Sequence, residues 1–574
     1  MNSLLIILVT SIGYIIAYST YGKLVAHKLF KLSSDNKMPA HKYRDDIDFV
    51  PTKKHIIFGH HFTTIAGLGP IVGPTIGVIW GWLPALLWVF FGSIFMGAVH
   101  DFTILVISAR NDGKTIGDLT GNIIGPSTRM AFQVLIQFLL LIVLSVFAMI
   151  VGVLFNMYPE AVFPVWMQIP IAIWLGWKIR QGKNDFIYSI IAVLLMYATV
   201  VAGIYLPITL PPVMGSSVVT WCLLLFVYVY FASTIPVQIL LQPRDYINSH
   251  QLILAMILLV AGVIVAHPIL TAPAINYEAT APGSDIPSLF PLLFITIACG
   301  AISGFHSLAS SGTTVKQVDK EKDTLFIGYG GMIWESFLAV LVIIAVAGGL
   351  GLGLEEDGTL LKGMEAFRHH YASWATATTG LDAKLEAFIV GASNLFASIG
   401  IPASFGKAII AVFIVSFANT TLDSATRIQR LSFQEMCKNK SGEIAKPFKN
   451  RFFATFIVVL AAIILTFLKP GGQGAMKLWP LFGSLNQLLA ALALGIASLY
   501  FYKKRKSILY TLLPMIFILL VTGYSMVVNI FTYIFEPDYT LLVISILILL
   551  LTLWLLVGGV KAAVVFGNIT KEKK

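Results

Sequence analysis

The chain is 574 residues long, 57% of them hydrophobic and only 12% charged, with a mean hydropathy of +0.84, which excludes a soluble globular domain and points to a protein that crosses the bilayer many times. Its formal charge of +11 does not point to nucleic acid, because the Lys and Arg sit in short loops between apolar runs and not on one polar face. Cys222, Cys299 and Cys437 are too few and too scattered for a disulfide framework or a metal cluster.

Runs of about 20 apolar residues, enough to span roughly 30 Å of hydrocarbon, predict an all-α polytopic membrane protein with about 15 transmembrane helices. The first segment, 1–22, lacks a small-residue cleavage site and is followed by positive charge, so a retained helix is expected there and not a signal peptide. A basic loop, 23–55, comes next. The stretch from His55 to Trp80 contains GHHFTTIAGLGPIVGPTIG, apolar enough for a bilayer yet interrupted by Gly67, Gly69, Pro70, Gly73, Pro74 and Gly77. In lipid, broken backbone survives only where protein or a water-filled cavity satisfies its polar groups. Secondary transporters use such breaks to aim half-helix ends at substrate and ions.

Segment 217–242 carries Ser233 and Thr234 before Pro236 at its middle. A second interruption, five crossings after the first and in the opposite direction, predicts a five-plus-five inverted-repeat core of APC/LeuT-like type over 56–424. In that numbering 56–76 is core helix one, 217–242 core helix six and 287–312 core helix eight. The loop 354–386 suits a surface helix or a lid, and 387–424 is long enough to hold a re-entrant turn. Asn419, Thr420, Thr421 and Asp423 at its end read as helix-end hydrogen bonding. A cytoplasmic loop 425–450, four helices over 451–562 and a cytoplasmic tail 563–574 complete the chain. All basic clusters fall on one side if the N-terminus is outside and the C-terminus cytoplasmic.

Titratable groups inside apolar segments are functional hypotheses by default. His60 and His61, just before the first break, suit a proton relay or gate, the plainer alternative being packing residues bonded to backbone. Adjacent helical residues diverge by about 100°, so no metal site is expected of the pair. Asp101, beside His100, suits a salt-bridge gate, and Glu335, near mid-membrane, either carries a coupling proton or partners a His. Ser310, Ser311, Thr313 and Thr314 lie across from the Thr63–Gly67 carbonyls and offer oxygens for a hard cation such as Na⁺. His306, about one turn earlier, supplies a titratable group and favours H⁺ as the coupling ion. Ser and Thr also merely satisfy freed carbonyls. Substrate binding is assigned to Thr63, Thr64, Gly67, Gly69, Ser233 and Thr234, with half-helix N-termini at Pro70 and Pro236 favouring a carboxylate. No cofactor and no metal is expected.

The run GHHFTTIAGLGPIVGPTIGVIWGWLPALLWVFFGSIFMGAVHDF, with SGFHSLASSGTTVKQ and GYGGMIWESFLAV, resembles the carbon starvation protein A (CstA) family, over about residues 1–500. The resemblance implies a multi-pass permease of the bacterial inner membrane, related to the APC superfamily. It would import peptides and/or pyruvate, with H⁺, during carbon starvation. The partners expected are a small-molecule substrate and the lipid bilayer, with no nucleic acid; the oligomeric state is open. A symporter is the reading these features favour. A channel is the first rival, disfavoured because no loop repeats as a selectivity filter. A membrane-embedded enzyme built on His60, His61 and Asp101 is the second, and the chain has no HExxH, GxSxG or nucleotide-binding motif to support it.

Overall fold

The computed structural model describes residues 2–572 apart from 282, 440, 441 and 473. The helices in chain order are α1 (Ser3–Phe30), α2 (Lys54–Ile65), α3 (Gly69–Trp80), α4 (Trp82–Ala109), α5 (Pro126–Met157), α6 (Pro159–Arg180), α7 (Asp185–Tyr205), α8 (Ser217–Thr234) and α9 (Leu241–Ala266). They continue with α10 (Leu289–Thr296) and α11 (Gly304–Gly312), α12 (Glu321–Leu352), α13 (Gly380–Ser398), α14 (Ala403–Met436), α15 (Arg451–Phe467), α16 (Trp479–Lys503), α17 (Leu509–Phe535) and α18 (Tyr539–Glu572). Among the described residues 12 helices are long and apolar enough to cross a membrane, or up to 13 with α2 and α3 taken as one span. That is fewer than the fifteen or so expected, because α10 and α11 are 8 and 9 residues long and α15 has 17.

Several expected boundaries move. α1 runs on to Phe30, so the first basic loop begins at Lys31 and not at 23. The segment 387–424 is not one helix, since Gly400 at φ +88° and Pro402 separate α13 from α14. The loop 354–386 folds into a hairpin, β1 (Leu354–Glu356) against β2 (Thr359–Leu361), two short helices and the start of α13. Helix α14 continues into the expected loop 425–450, whose residues 440 and 441 lie outside the described residues. The expected tail 563–574 is a continuation of α18, and Lys573 and Lys574 lie outside the described residues.

The first break is where glycine and proline demand it. Ala66 leaves the helix at ψ +44°, and Pro70, which has no N–H and cannot continue the preceding turn, opens α3 near its N-terminus, where it is tolerated. The two halves meet at 45°. The broken segment facing it is not 217–242. Ile235, held extended at ψ +157° ahead of Pro236, ends α8 outright, and the following turn bonds Ile47 of the basic loop through the Val237 N–H. The facing break lies between α10 and α11, over 297–303. A Cβ at Gly69 would lie 2.3 Å from the Cys299 Cβ, and one at Gly73 2.4 Å from the Thr296 carbonyl oxygen. Small residues let the two backbones touch.

Around these breaks the helices pack in pairs: α5 along α14, α4 against α12, α8 against α15, α2 against α9, and α11 against both α4 and α16. α6 and α7 form a hairpin leaning on α9. α13 is seated against the last turns of α12 through Gly391, whose added Cβ would stand 2.1 Å from the Ala345 carbonyl oxygen, a rigid backbone atom. Gly391→Val should therefore cost about 1–3 kcal/mol, since overpacking of this kind forces backbone shifts. A lowered unfolding temperature of the purified protein checks it.

Candidate transport site

A cavity of about 350 Å³ opens where the two breaks meet, within the size range of small-molecule sites. Gly67 and Gly69 line it from the first break, Thr296 and Cys299 from the second, Phe147 from α5 and Thr421 from α14. Trp479, Ser484 and Asn486 contribute from α16, and Trp374 and Lys384 from the segment leading into α13 and from α13 itself. The walls are mostly apolar with a few convergent polar groups. Asn486 ties α16 to the start of α11, accepting from the Phe305 N–H at 2.9 Å and donating to Ser303 Oγ at 3.0 Å. The hydroxyls of Thr421 and Ser484 are buried without a hydrogen-bond partner.

Behind the second break lies a chain of buried titratable side chains from three helices. Asp101 of α4 takes His100 Nδ1 at 2.8 Å on one oxygen and His306 Nδ1 of α11 at 2.9 Å on the other. His306 turns its Nε2 to Glu335 Oε2 of α12 at 3.4 Å. All four side chains are 0% exposed. Among the described residues neither oxygen of Glu335 has a hydrogen-bond partner. Burying a charge is costly unless it is paired, so a histidine between two carboxylates is a place where protons can be held and passed. His61 faces the same region and hydrogen-bonds Thr314 Oγ1 at 3.0 Å.

A second polar network closes the opposite end, toward the basic loops. His60 Nδ1 bonds Asp245 of α9, and Arg244 bonds Asp423 of α14. Tyr228 donates to the same Asp423 oxygen at 2.8 Å, and Arg244 Nε donates to Gln168 Oε1 at 2.9 Å. Nearer the surface, Asp48 of the basic loop binds Arg427 at 2.7 Å and Arg430 at 3.1 Å. Burial works against the charged Asp48, but the two arginines, with Lys316, outweigh it and hold its carboxyl below the usual range. These pairs fasten α2, α8, α9 and α14 together below the cavity.

The sequence-predicted residues divide accordingly. Gly67 and Gly69 line the cavity. Thr63, Ser233 and Thr234 bond carbonyls of their own helices, of Gly59, Tyr230 and Phe231, and Thr64 meets Ser424 at 3.2 Å. Of the hydroxyls expected to hold a cation, Ser311 and Thr313 bond the Ser307 and Ala309 carbonyls, Thr314 meets His61, and Ser310 is buried without a partner. Asn419, Thr420, Thr421 and Asp423 are not a helix end, because α14 continues for several more turns to Met436. Thr420 instead accepts from Asn248 at 2.6 Å. Lys384, Ser484, Asn486, Arg244 and Asp245 escaped the sequence reading. For Arg244 the signal was present as a basic residue beside an apolar run, which by itself marks only topology.

The model of the carbon starvation protein CstA family matches residues 2–525. The peptide transporter CstA of Mycobacterium tuberculosis is 34% identical, covering 88% of this chain and 72% of that one. The pyruvate/proton symporter BtsT of Escherichia coli is 31% identical, covering 92% and 82%. Among solved structures, a manganese transporter of Eremococcus coleocola superposes with a TM-score of 0.49 at 12% identity over 91% of this chain and 99% of that one, too loosely to assign a fold.

Proposed function

The chain belongs to the carbon starvation protein CstA family and is a multi-pass membrane transporter; we propose that it imports a small carboxylate nutrient, a peptide or pyruvate, together with protons by alternating access. The observation that carries this reading is the meeting of two helix breaks at one cavity, with a chain of buried titratable groups directly behind it. Relatives named as a peptide transporter and as a pyruvate/proton symporter give the substrate classes. None of them supports the channel or the enzyme reading.

The architecture we propose has α2/α3, α4, α5, α8 and α9 as one five-helix repeat and α10/α11, α12, α14, α15 and α16 as its inverted copy. What supports it is reciprocal packing: α3 against α12 is mirrored by α11 against α4, α2 against α9 by α10 against α16, and α8 against α14 by α15 against α5. The α6–α7 hairpin is then an insertion in the first repeat, and β1–β2 with α13 an insertion in the second. Counting both broken pairs and α15 as crossings makes fifteen spans, with the N-terminus outside, the C-terminus in the cytoplasm and the Asp48 cluster as the closed cytoplasmic gate. Asp101, His306 and Glu335 hold the coupling proton, with His61 and His60 on its route. Ser310, Ser311, Thr313 and Thr314 serve as structural hydroxyls. Uptake into vesicles with Na⁺ replaced by choline tests the coupling ion. Uptake should persist and follow an imposed pH gradient; collapse without Na⁺ and indifference to pH would remove the proton.

A further inference from the structure

Resting on that transport reading, we infer that the cavity is built for a monocarboxylate anion that carries no amino group, and that Lys384 of α13 is its counter-charge. Lys384 is the only charged side chain lining the cavity among the described residues. Among the described residues no carboxylate forms an ion pair with it, although Asp382, two residues earlier, acts on it through space; its ammonium stands 5.6 Å from the centre of the Trp479 ring. Two further residues lining the same cavity, Thr421 and Ser484, carry buried hydroxyls that have no hydrogen-bond partner among the described residues. The start of α3, with its positive dipole end, borders it at Gly69. A cation, two free hydroxyls and a helix N-terminus make a receptor for one carboxylate.

An α-ammonium group meets no carboxylate there. Among the described residues no Asp or Glu lines the cavity, and Asp101 and Glu335 lie behind the second break, engaged with His306. The Thr296 carbonyl, at the end of α10, is pressed against Gly73. A zwitterionic peptide would bring a second positive charge into a cavity whose one charged side chain is already positive, which is costly without a countercharge. A 2-oxo or 2-hydroxy acid carries one charge for the one lysine.

Charge bookkeeping supplies the test. A monocarboxylate anion carried with one proton moves no net charge, whereas a zwitterionic dipeptide carried with one proton does. In proteoliposomes of the full chain, labelled pyruvate uptake under an acid-outside pH gradient should be competed by lactate. It should resist methyl pyruvate and alanyl-alanine at about tenfold higher concentrations, and be indifferent to membrane potential. Lys384→Gln should raise the pyruvate KM about tenfold or more, as loss of a charge-assisted bond does, with the maximal rate changed less than about threefold, and Lys384→Arg should restore most of the affinity. Alanyl-alanine competing as well as lactate, potential-driven uptake, or an unchanged KM in Lys384→Gln overturns the inference while leaving transport intact. Competition on the unaltered protein decides the matter should the variants not fold. Uptake of neither pyruvate nor dipeptide under any gradient overturns the transport reading as well.

Discussion

Glu335→Gln is expected to abolish accumulation of substrate against a gradient while leaving counterflow largely intact. Glu335 is wholly buried, its two oxygens have no hydrogen-bond partner, and His306 stands 3.4 Å away, bonded on its other side to Asp101. Such a carboxyl has two available states, protonated and neutral or charged against an imidazolium, and the switch between them is what lets a proton travel with the substrate. With one proton per monocarboxylate, each pH unit across the membrane supports about tenfold accumulation, at 1.36 kcal/mol per unit. Glutamine cannot titrate, so the ratio should fall to about one. Counterflow exchanges labelled for unlabelled substrate and needs no net proton movement. Normal accumulation by the variant would remove Glu335 from the coupling path and leave Asp101 and His306 to carry it.

The largest effect on stability is expected at Arg244. Its side chain is 0% exposed and that of Asp423 1%, in a network that also takes in Tyr228, Gln168 and, through the neighbouring Asp245, His60. Removing one member of a buried ion pair leaves the other buried without that countercharge, at about 3–5 kcal/mol. Replacing both with apolar side chains of similar size is often nearly neutral. Arg244→Leu and Asp423→Leu should each lower the unfolding temperature and the yield of folded protein sharply, and the double variant should regain most of both. Single variants as stable as the parent would mean that water reaches the pair.

How much of this was legible in the sequence depended on how each signal is written. The first break was, because Gly67, Gly69 and Pro70 oppose a continuous helix locally. The second was not. Residues 297–303 read IACGAIS, without proline and inside an apolar run, so only packing against Gly69 and Gly73 reveals the interruption. Pro236 was a true stop signal at the wrong depth, since it ends α8 beside the basic loop. Asp101, His306 and Glu335 were each visible as titratable residues in apolar segments. Their contact was not, because Asp101 and His306 are 205 positions apart in the chain. Lys384 was hidden in a stretch whose polarity suggested a surface helix or a lid, and α13, which carries it to the cavity, is seated against α12 at Gly391.

The most direct test of transport by alternating access is counterflow of labelled pyruvate in proteoliposomes of the purified chain. Unlabelled pyruvate trapped inside should accelerate entry of external label several-fold and drive a transient overshoot, because a loaded carrier reorients and exchanges faster than an empty one. Entry that is independent of trapped substrate, and grows with external concentration without saturating, would contradict it and describe an open pore.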